Sequence, residues 1–232
     1  MSTSQSVSRL GKLLLIALLA LGGAAEARRP QQQGGAAGVD GQPGQFDYYA
    51  VALSWSPSFC ATRNDPNQCA SGRRLGFVLH GLWPQWQKGY PQSCSTQPLP
   101  AAVRAKYAGL FPSPGLIGHE WPKHGTCSGL EPAAYFELSA KLQKQLAIPP
   151  QFQAPSAPVR VSIAEFGAAF QRANPGLAAH AVLPFCSGGG RFLRELHACW
   201  GKDGASLSCS ADELKRSNRS CGQDSFLLPS VR

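Results

Sequence analysis

Gly76-Phe77-Val78-Leu79-His80-Gly81-Leu82-Trp83-Pro84 begins as a short apolar strand, reaches a histidine, and passes into a Gly-Leu-Trp-Pro loop. Upstream, Tyr48-Tyr49-Ala50-Val51-Ala52-Leu53 is aromatic and aliphatic and reads as a second strand, stopped by Pro57. Downstream the pattern turns helical. Leu99 to Leu110 is alanine-rich and bounded by prolines. Pro132 suits a first helical position and leads Ala133 to Ile148, with Tyr135, Phe136, Leu138, Leu142 and Leu146 on the buried face. Ser162 and Glu165 form a capping box before Phe166 and Phe170, and Asn174-Pro175-Gly176 ends that helix. Ala181 to Phe185 and Arg191 to Trp200 read as strands, and Ser210 with Glu213 as a short capped helical turn. With no repeat and no second linker, this order predicts one α+β domain over residues 46–232.

What precedes that domain reads differently. Arg9 and Lys12 flank a nine-residue apolar run, Leu13 to Leu21, too short to span a bilayer. Ala25-Glu26-Ala27 fits a small-x-small cleavage site, so residues 1–27 are expected to be a removable signal peptide. No membrane span is expected once it is removed. Residues 28–45 are rich in Gly, Gln and Pro and are expected to be a disordered leader, with order beginning at Phe46. Export implies an oxidising periplasmic or extracellular destination. All eight cysteines lie beyond the signal, which predicts four disulfides. Their number alone leaves on the order of a hundred pairings open. No Cys-x-x-Cys pair supports a metal site.

The formal net charge is +9 and falls to +8 when residues 1–27 are removed. A basic surface attracts polyanions, with nucleic acid one candidate and an anionic cell envelope another. The distribution is more telling. Between Pro66 and Leu130 the only acidic residue is Glu120, among six lysines and arginines. It sits in His119-Glu120-Trp121-Pro122-Lys123-His124-Gly125-Thr126-Cys127, which packs two imidazoles, a carboxylate and an ammonium into six residues. Such groups are costly to bury unless paired. A lone carboxylate in a basic field is expected to stay ionised and to orient a cation.

RNA carries its own nucleophile, the ribose 2′-hydroxyl. Cleavage needs a base for that proton and an acid for the departing 5′-oxygen, and imidazoles suit both. Fixed cations stabilise the charge gathering on phosphorus-bound oxygens. His80 and His124 fit the proton transfers, Lys123 and His119 the phosphoryl oxygens, and Glu120 their orientation. That inventory requires no metal and no cofactor. A zinc protease is the rival for His119-Glu120, but the second histidine lies at i+5 and Pro122 is expected to interrupt any helix. A serine triad lacks the Gly-x-Ser-x-Gly elbow.

Phe77 to Pro84 resembles the first active-site segment of the ribonuclease T2 family, and His119 to Cys127 resembles the second. Tyr49 to Trp55, through Cys60, is similar to the family's first core strand, and Leu193 to Cys199 to a late one, so the resemblance covers about Phe46 to Phe226. Its bacterial exported, periplasmic ribonuclease I-like branch looks nearest. The resemblance implies a central, mainly antiparallel sheet flanked by helices and stapled by disulfides. It implies His124 as general base, His80 as general acid, Glu120 and Lys123 as the stabilising pair, His119 as a phosphate ligand and Trp83 as a base-stacking aromatic. Products would end in 2′,3′-cyclic phosphate and then 3′-phosphate. It also implies the pairs Cys60–Cys69, Cys94–Cys127, Cys186–Cys221 and Cys199–Cys209.

Departures bear on base preference. Gln85 stands where fungal relatives often carry Asp, and an amide both donates and accepts where a carboxylate only accepts. Ser54 stands where many eukaryotic members carry Gln. His180 and His197 match no catalytic position and are expected to be structural or superficial, and Arg191 and Arg194 to form a solvated face. The expectation is a monomeric endoribonuclease of broad base tolerance, acting on single-stranded RNA and not DNA. A silent RNA-binding or envelope-interaction protein on the same scaffold is the alternative.

Overall fold

The computed structural model describes residues 41–70 and 72–231, so the expected signal peptide and most of the expected leader lie outside the described residues. Gly41 to Gln45, expected to belong to the leader, are instead held. Gly44 N donates to Cys127 O (2.9 Å), Trp86 Nε1 to Gln45 O (2.8 Å) and Lys202 Nζ to Gly44 O (3.1 Å). A Gly-Pro-rich segment without apolar anchors can still be fixed through its backbone polar groups.

The strand β1 (Tyr48–Trp55) is an inner, almost fully buried strand of the sheet. Its alternation assigns its two faces. Tyr49, Val51, Leu53 and Trp55 enter the main core, while the small side chains Ala50, Ala52 and Ser54 fall on the opposite face. β2 (Phe77–Gln85) pairs antiparallel with one edge of β1 and β5 (Phe192–Trp200) with the other. β4 (Val182–Ser187) pairs antiparallel with β5, and β3 (Val159–Val161) with β6 (Phe226–Leu228); β6 meets β5 in parallel at Phe192. Among the described residues this makes a six-stranded, mainly antiparallel sheet, so the α+β expectation holds.

Helices α1 (Ser56–Cys60), α2 (Pro66–Cys69), α3 (Ala101–Tyr107), α4 (Leu116–Lys123), α5 (Pro132–Gln145), α6 (Pro150–Gln153), α7 (Ile163–Ala173) and α8 (Ala211–Ser220) surround it. Trp121, Tyr135, Phe136, Phe166, Phe170 and Phe226 pack against the large-residue face of β1. Tyr135 Oη donates to Leu82 O at 2.6 Å and ties α5 to β2. The capping box of α7 is complete, Ser162 accepting from Glu165 N and Glu165 from Ser162 N. At α8 only half of the box forms: Ser210 Oγ accepts from Glu213 N at 3.2 Å. The Glu213 carboxylate is engaged elsewhere, and the helix runs for ten residues, longer than the expected short turn.

Three further expectations change. The Gly-Leu-Trp-Pro stretch is strand, not loop, because β2 continues through Pro84 to Gln85 against Tyr48 and Tyr49. Pro84 is tolerated because β2 ends the sheet, where a missing N–H costs no ladder bond. α5 ends at Gln145, since Leu146 is extended (φ −91°, ψ 105°) ahead of Pro149-Pro150. Finally, α4 passes through Pro122. The missing N–H removes one helical bond, but the helix ends one residue later and His124 N still closes its last turn on Glu120 O (2.9 Å).

Four disulfides join Cys60–Cys69, Cys94–Cys127, Cys186–Cys221 and Cys199–Cys209. Cys94–Cys127, with Ser93 N donating to Lys123 O (2.8 Å) and Cys94 N to Thr126 Oγ1 (3.1 Å), clamps the loop after β2 onto the end of α4.

Candidate active site

A cleft of about 600 Å³ opens on the small-residue face of β1 at Ser54. His80, Trp83, Gln85, His119, Glu120, Lys123 and His124 all line it. Two segments of very different local geometry deliver them.

β2 delivers His80 through a bulge. Ala52 pairs with Gly81 and Leu53 with Leu79, so His80 is an extra residue in the ladder. A bulge re-aims a side chain out of the strand's alternation. Gly81 follows because nothing larger fits. A Cβ there would lie 1.9 Å from Glu120 Oε2 and 2.4 Å from Trp83 Nε1. The absent side chain lets the indole donate to Glu120 Oε2 at 2.8 Å.

α4 delivers the rest by helical spacing. Residues four apart share a face, so Glu120 and His124 point together, and His119 and Lys123 point together. Glu120 and His124 are buried, while His119 is exposed and Lys123 half-buried. His119 and His124, five apart, stand about 140° from one another around the axis, so they do not share a ligand face as the zinc motif demands. Among the described residues no group of three or more His, Cys, Asp or Glu is arranged to hold a metal ion.

Trp83 is the hub. Its ring stacks on His124 (5.1 Å, 28°) and receives His80 (4.9 Å, 76°) and His197 (5.1 Å, 86°) edge-on. Gln85 is buried, with its amide nitrogen donating to Pro84 O at 3.1 Å.

Burial sets the protonation of this group. Burial, then the charges of Lys123, His80 and His119, pushes His124 down to about 3, so its ring is neutral. Burial, then Lys123 and His80, also lowers His119. Glu120 was expected to stay ionised. Instead burial raises it to about 7, against the lowering by His80, the Trp83 N–H and Lys123. Counting charges along the chain missed that it is fully enclosed, with Oε1 lacking a hydrogen-bond partner among the described residues and lying 4.0 Å from His80 Nε2.

Nor is Glu120 the only acid of the site. Glu195 and His197, two apart on β5, face the same cleft, and Glu195 Oε2 lies 3.1 Å from His80 Nδ1. Arg194 Nη2 donates to Glu195 Oε1 at 2.6 Å. Neighbours in a strand normally point apart; here Phe185 pairs with Glu195 and Cys186 with Leu193, so Arg194 is the extra residue of a second bulge and can reach Glu195. His197, expected to be structural or superficial, is buried in the cleft wall, 3.4 Å from Glu195 Oε1 and hydrogen-bonded to Glu213. Arg216 closes the chain on Glu213. Arg191 and Arg194 are both exposed, Arg191 donating to Gly188 O, and His180 is exposed as well. The available sequence signal was three ionisable residues, Arg194, Glu195 and His197, inside the otherwise apolar run Leu193 to Trp200.

The model of the ribonuclease T2 family matches residues 46–209. The chain belongs to the ribonuclease T2 family. A ribonuclease of Aeromonas hydrophila is 43% identical over 204 residues, covering 83% of this chain and 89% of the relative. Ribonuclease I of Escherichia coli strain K12 is 27% identical, covering 75% and 82%. Solved structures share the fold: an RNase-related protein from Calystegia sepium superposes with a TM-score of 0.63 at 19% identity, over 81% of this chain and 98% of that one. The two segments that carry the family resemblance, on β2 and α4, both line the cleft.

Proposed function

We propose that this chain is an exported endoribonuclease of the bacterial ribonuclease I-like kind, cleaving single-stranded RNA by transphosphorylation. The observation that carries the proposal is the convergence of His80, His119, Glu120, Lys123 and His124 on one cleft in a basic protein. The neutral His124 takes the proton of the 2′-hydroxyl. The 2′-oxygen bonds to phosphorus while the bond to the 5′-oxygen breaks. His80 gives that oxygen its proton, leaving a 2′,3′-cyclic phosphate and a free 5′-hydroxyl. Water then opens the ring to a 3′-phosphate with the two roles exchanged. Lys123 and His119, sharing the exposed side of α4, hold the phosphoryl oxygens. Glu120, held by Trp83 Nε1, steadies the charge between them. Trp83 and Gln85 bound the end of the cleft where a base would lie. The substrate supplies the nucleophile and imidazoles move both protons, so the chemistry asks for no metal.

Purified protein is expected to degrade RNA in the presence of chelator, leave DNA intact and yield cyclic phosphate termini. DNA cleavage, dependence on added metal, or retention of RNA without cleavage would overturn the proposal, the last favouring a silent RNA-binding protein. Release of the mature protein from cells by osmotic shock, or its presence in the medium, distinguishes the periplasm from full secretion.

A further inference from the structure

His80 Nδ1 meets a carboxylate supplied by a different strand, more than a hundred residues away in sequence. The contact is 3.1 Å, between β2 and β5, and Glu195 is buried. The bulge in β2 turns the imidazole toward β5, and the bulge in β5 turns Arg194 onto the same carboxylate. The groups facing Glu195 come from each element packed there: Arg194 and His197 on β5, His80 on β2, and Glu213 with Arg216 behind His197 on α8. Glu120, on α4, lies on the other side of His80.

We propose that Glu195 is a positioning residue for the reaction, holding His80 by its Nδ1–H so that Nε2 carries the proton delivered to the leaving oxygen. This rests on the reading above in which His80 is the general acid. Burial pushes Glu195 up, but hydrogen bonds from His197 and His80, and the charges of His197 and Arg194, outweigh it and hold the carboxyl well below its ordinary range. An ionised carboxylate only accepts, so the ring nitrogen facing it must be the donor. That determines the tautomer of the neutral ring and its orientation, and aims Nε2 toward the cleft side, where Glu120 Oε1 lies 4.0 Å away. His197 and Glu213 extend the support. His197 Nε2 lies 3.4 Å from Glu195 Oε1, the oxygen that also accepts from Arg194, and its Nδ1 is held by Glu213. An acceptor fixing one imidazole nitrogen while the other moves the proton is the arrangement by which a buried acid assists a catalytic histidine elsewhere.

The test compares two substrates on one sample. A dinucleoside monophosphate has a poor leaving group and needs the acid. A nucleoside 3′-(4-nitrophenyl phosphate) has a good one and does not. Glu195→Ala is expected to lower kcat on the first by about 100-fold, within the range for a general acid, with KM nearly unchanged. The aryl ester should lose less than about threefold, because its leaving group departs as a stabilised anion and needs no proton from the enzyme. The ratio of the two rates does not depend on the fraction of folded protein, and Glu195→Gln, which keeps the volume, provides a second variant. Nitrogen-15 shifts of neutral His80 are expected to report the Nδ1–H form in the wild type and its loss in Glu195→Ala. Equal losses on both substrates, or no loss on either, would overturn the proposal. His80→Ala is the control. If it keeps dinucleotide cleavage, the reading of His80 as acid fails; if it loses that cleavage while Glu195→Ala keeps it, only the positioning role fails.

Discussion

Two buried carboxylates flank His80, and the protein drives them in opposite directions. Glu120, from α4, is fully enclosed and raised to about 7. Glu195, from β5, is almost as deeply buried and held well below the ordinary range. Burial pushes both upward. The difference lies in the company each keeps. Glu120 receives one neutral N–H from Trp83 and has His80 at 4.0 Å. Glu195 is in contact with Arg194, His80 and His197. Glu120, on the α4 side of the cleft, thus exchanges its proton near neutrality, whereas Glu195, on the β5 side, is a fixed anion. A histidine between them has one nitrogen anchored and the other directed at the reaction.

The largest expected effect removes a group proposed to react. His80→Ala and His124→Ala should each lower kcat on RNA about 1,000-fold or more, with the fold intact by circular dichroism. Gly81→Ala comes next. Its Cβ would collide with Glu120 Oε2 at 1.9 Å, so the carboxylate and the Trp83 indole must separate. A loss of roughly 3 kcal/mol of stability and about 100-fold in activity is expected, measured by denaturant unfolding and RNA hydrolysis. Wild-type values would show that the Glu120–Trp83 contact does not matter.

The carboxylates themselves give the sharpest contrast, because their amide variants should shift stability in opposite senses. Glu195 is depressed, so its contribution is present above the ordinary carboxylate range and is lost as pH falls through its folded-state value. Glu195→Gln leaves Arg194 and His197 without their anion and should destabilise by about 3 kcal/mol at neutral pH, less in acid. Glu120 is raised from 4.5 to about 7, so the folded state favours its protonated form. Its ionisation costs stability progressively as pH rises from about 4.5 to about 7. Glu120→Gln should therefore stabilise by on the order of 2 kcal/mol at about pH 8, roughly 5 °C in Tm, and by nothing at about pH 4. Melting curves across pH test both. Shifts of the same sign would break the contrast.

The two sides also differ in how visible they were along the chain. On α4, His119, Glu120, Lys123 and His124 are neighbours in sequence, and helical spacing alone sorts them into two faces. Their chemistry could be read as a cluster. The ionisation of Glu120 could not, because local composition shows a basic field and conceals complete burial. On β5, Glu195 and His197 interrupt an apolar strand and look like incidental polar residues. Their partners lie on β2 and α8, and two register slips, at His80 and at Arg194, bring the side chains to the same point. A bulge leaves little trace in sequence because one extra residue barely changes a strand's length or composition, and its position depends on the partner strand.

The sequence by itself determined the family and the α+β class, and it offered the two histidines proposed to react. These depend on periodicity and on short stretches of contiguous chemistry. The tertiary structure alone decided that the Gly81-Leu82-Trp83-Pro84 stretch is strand, that Gly81 is a space for a carboxylate, and that His80 stands between two acids of opposite behaviour. Desolvation and hydrogen bonding act through the atoms within a few ångströms of a group, and at this site those atoms come from β2, α4 and β5.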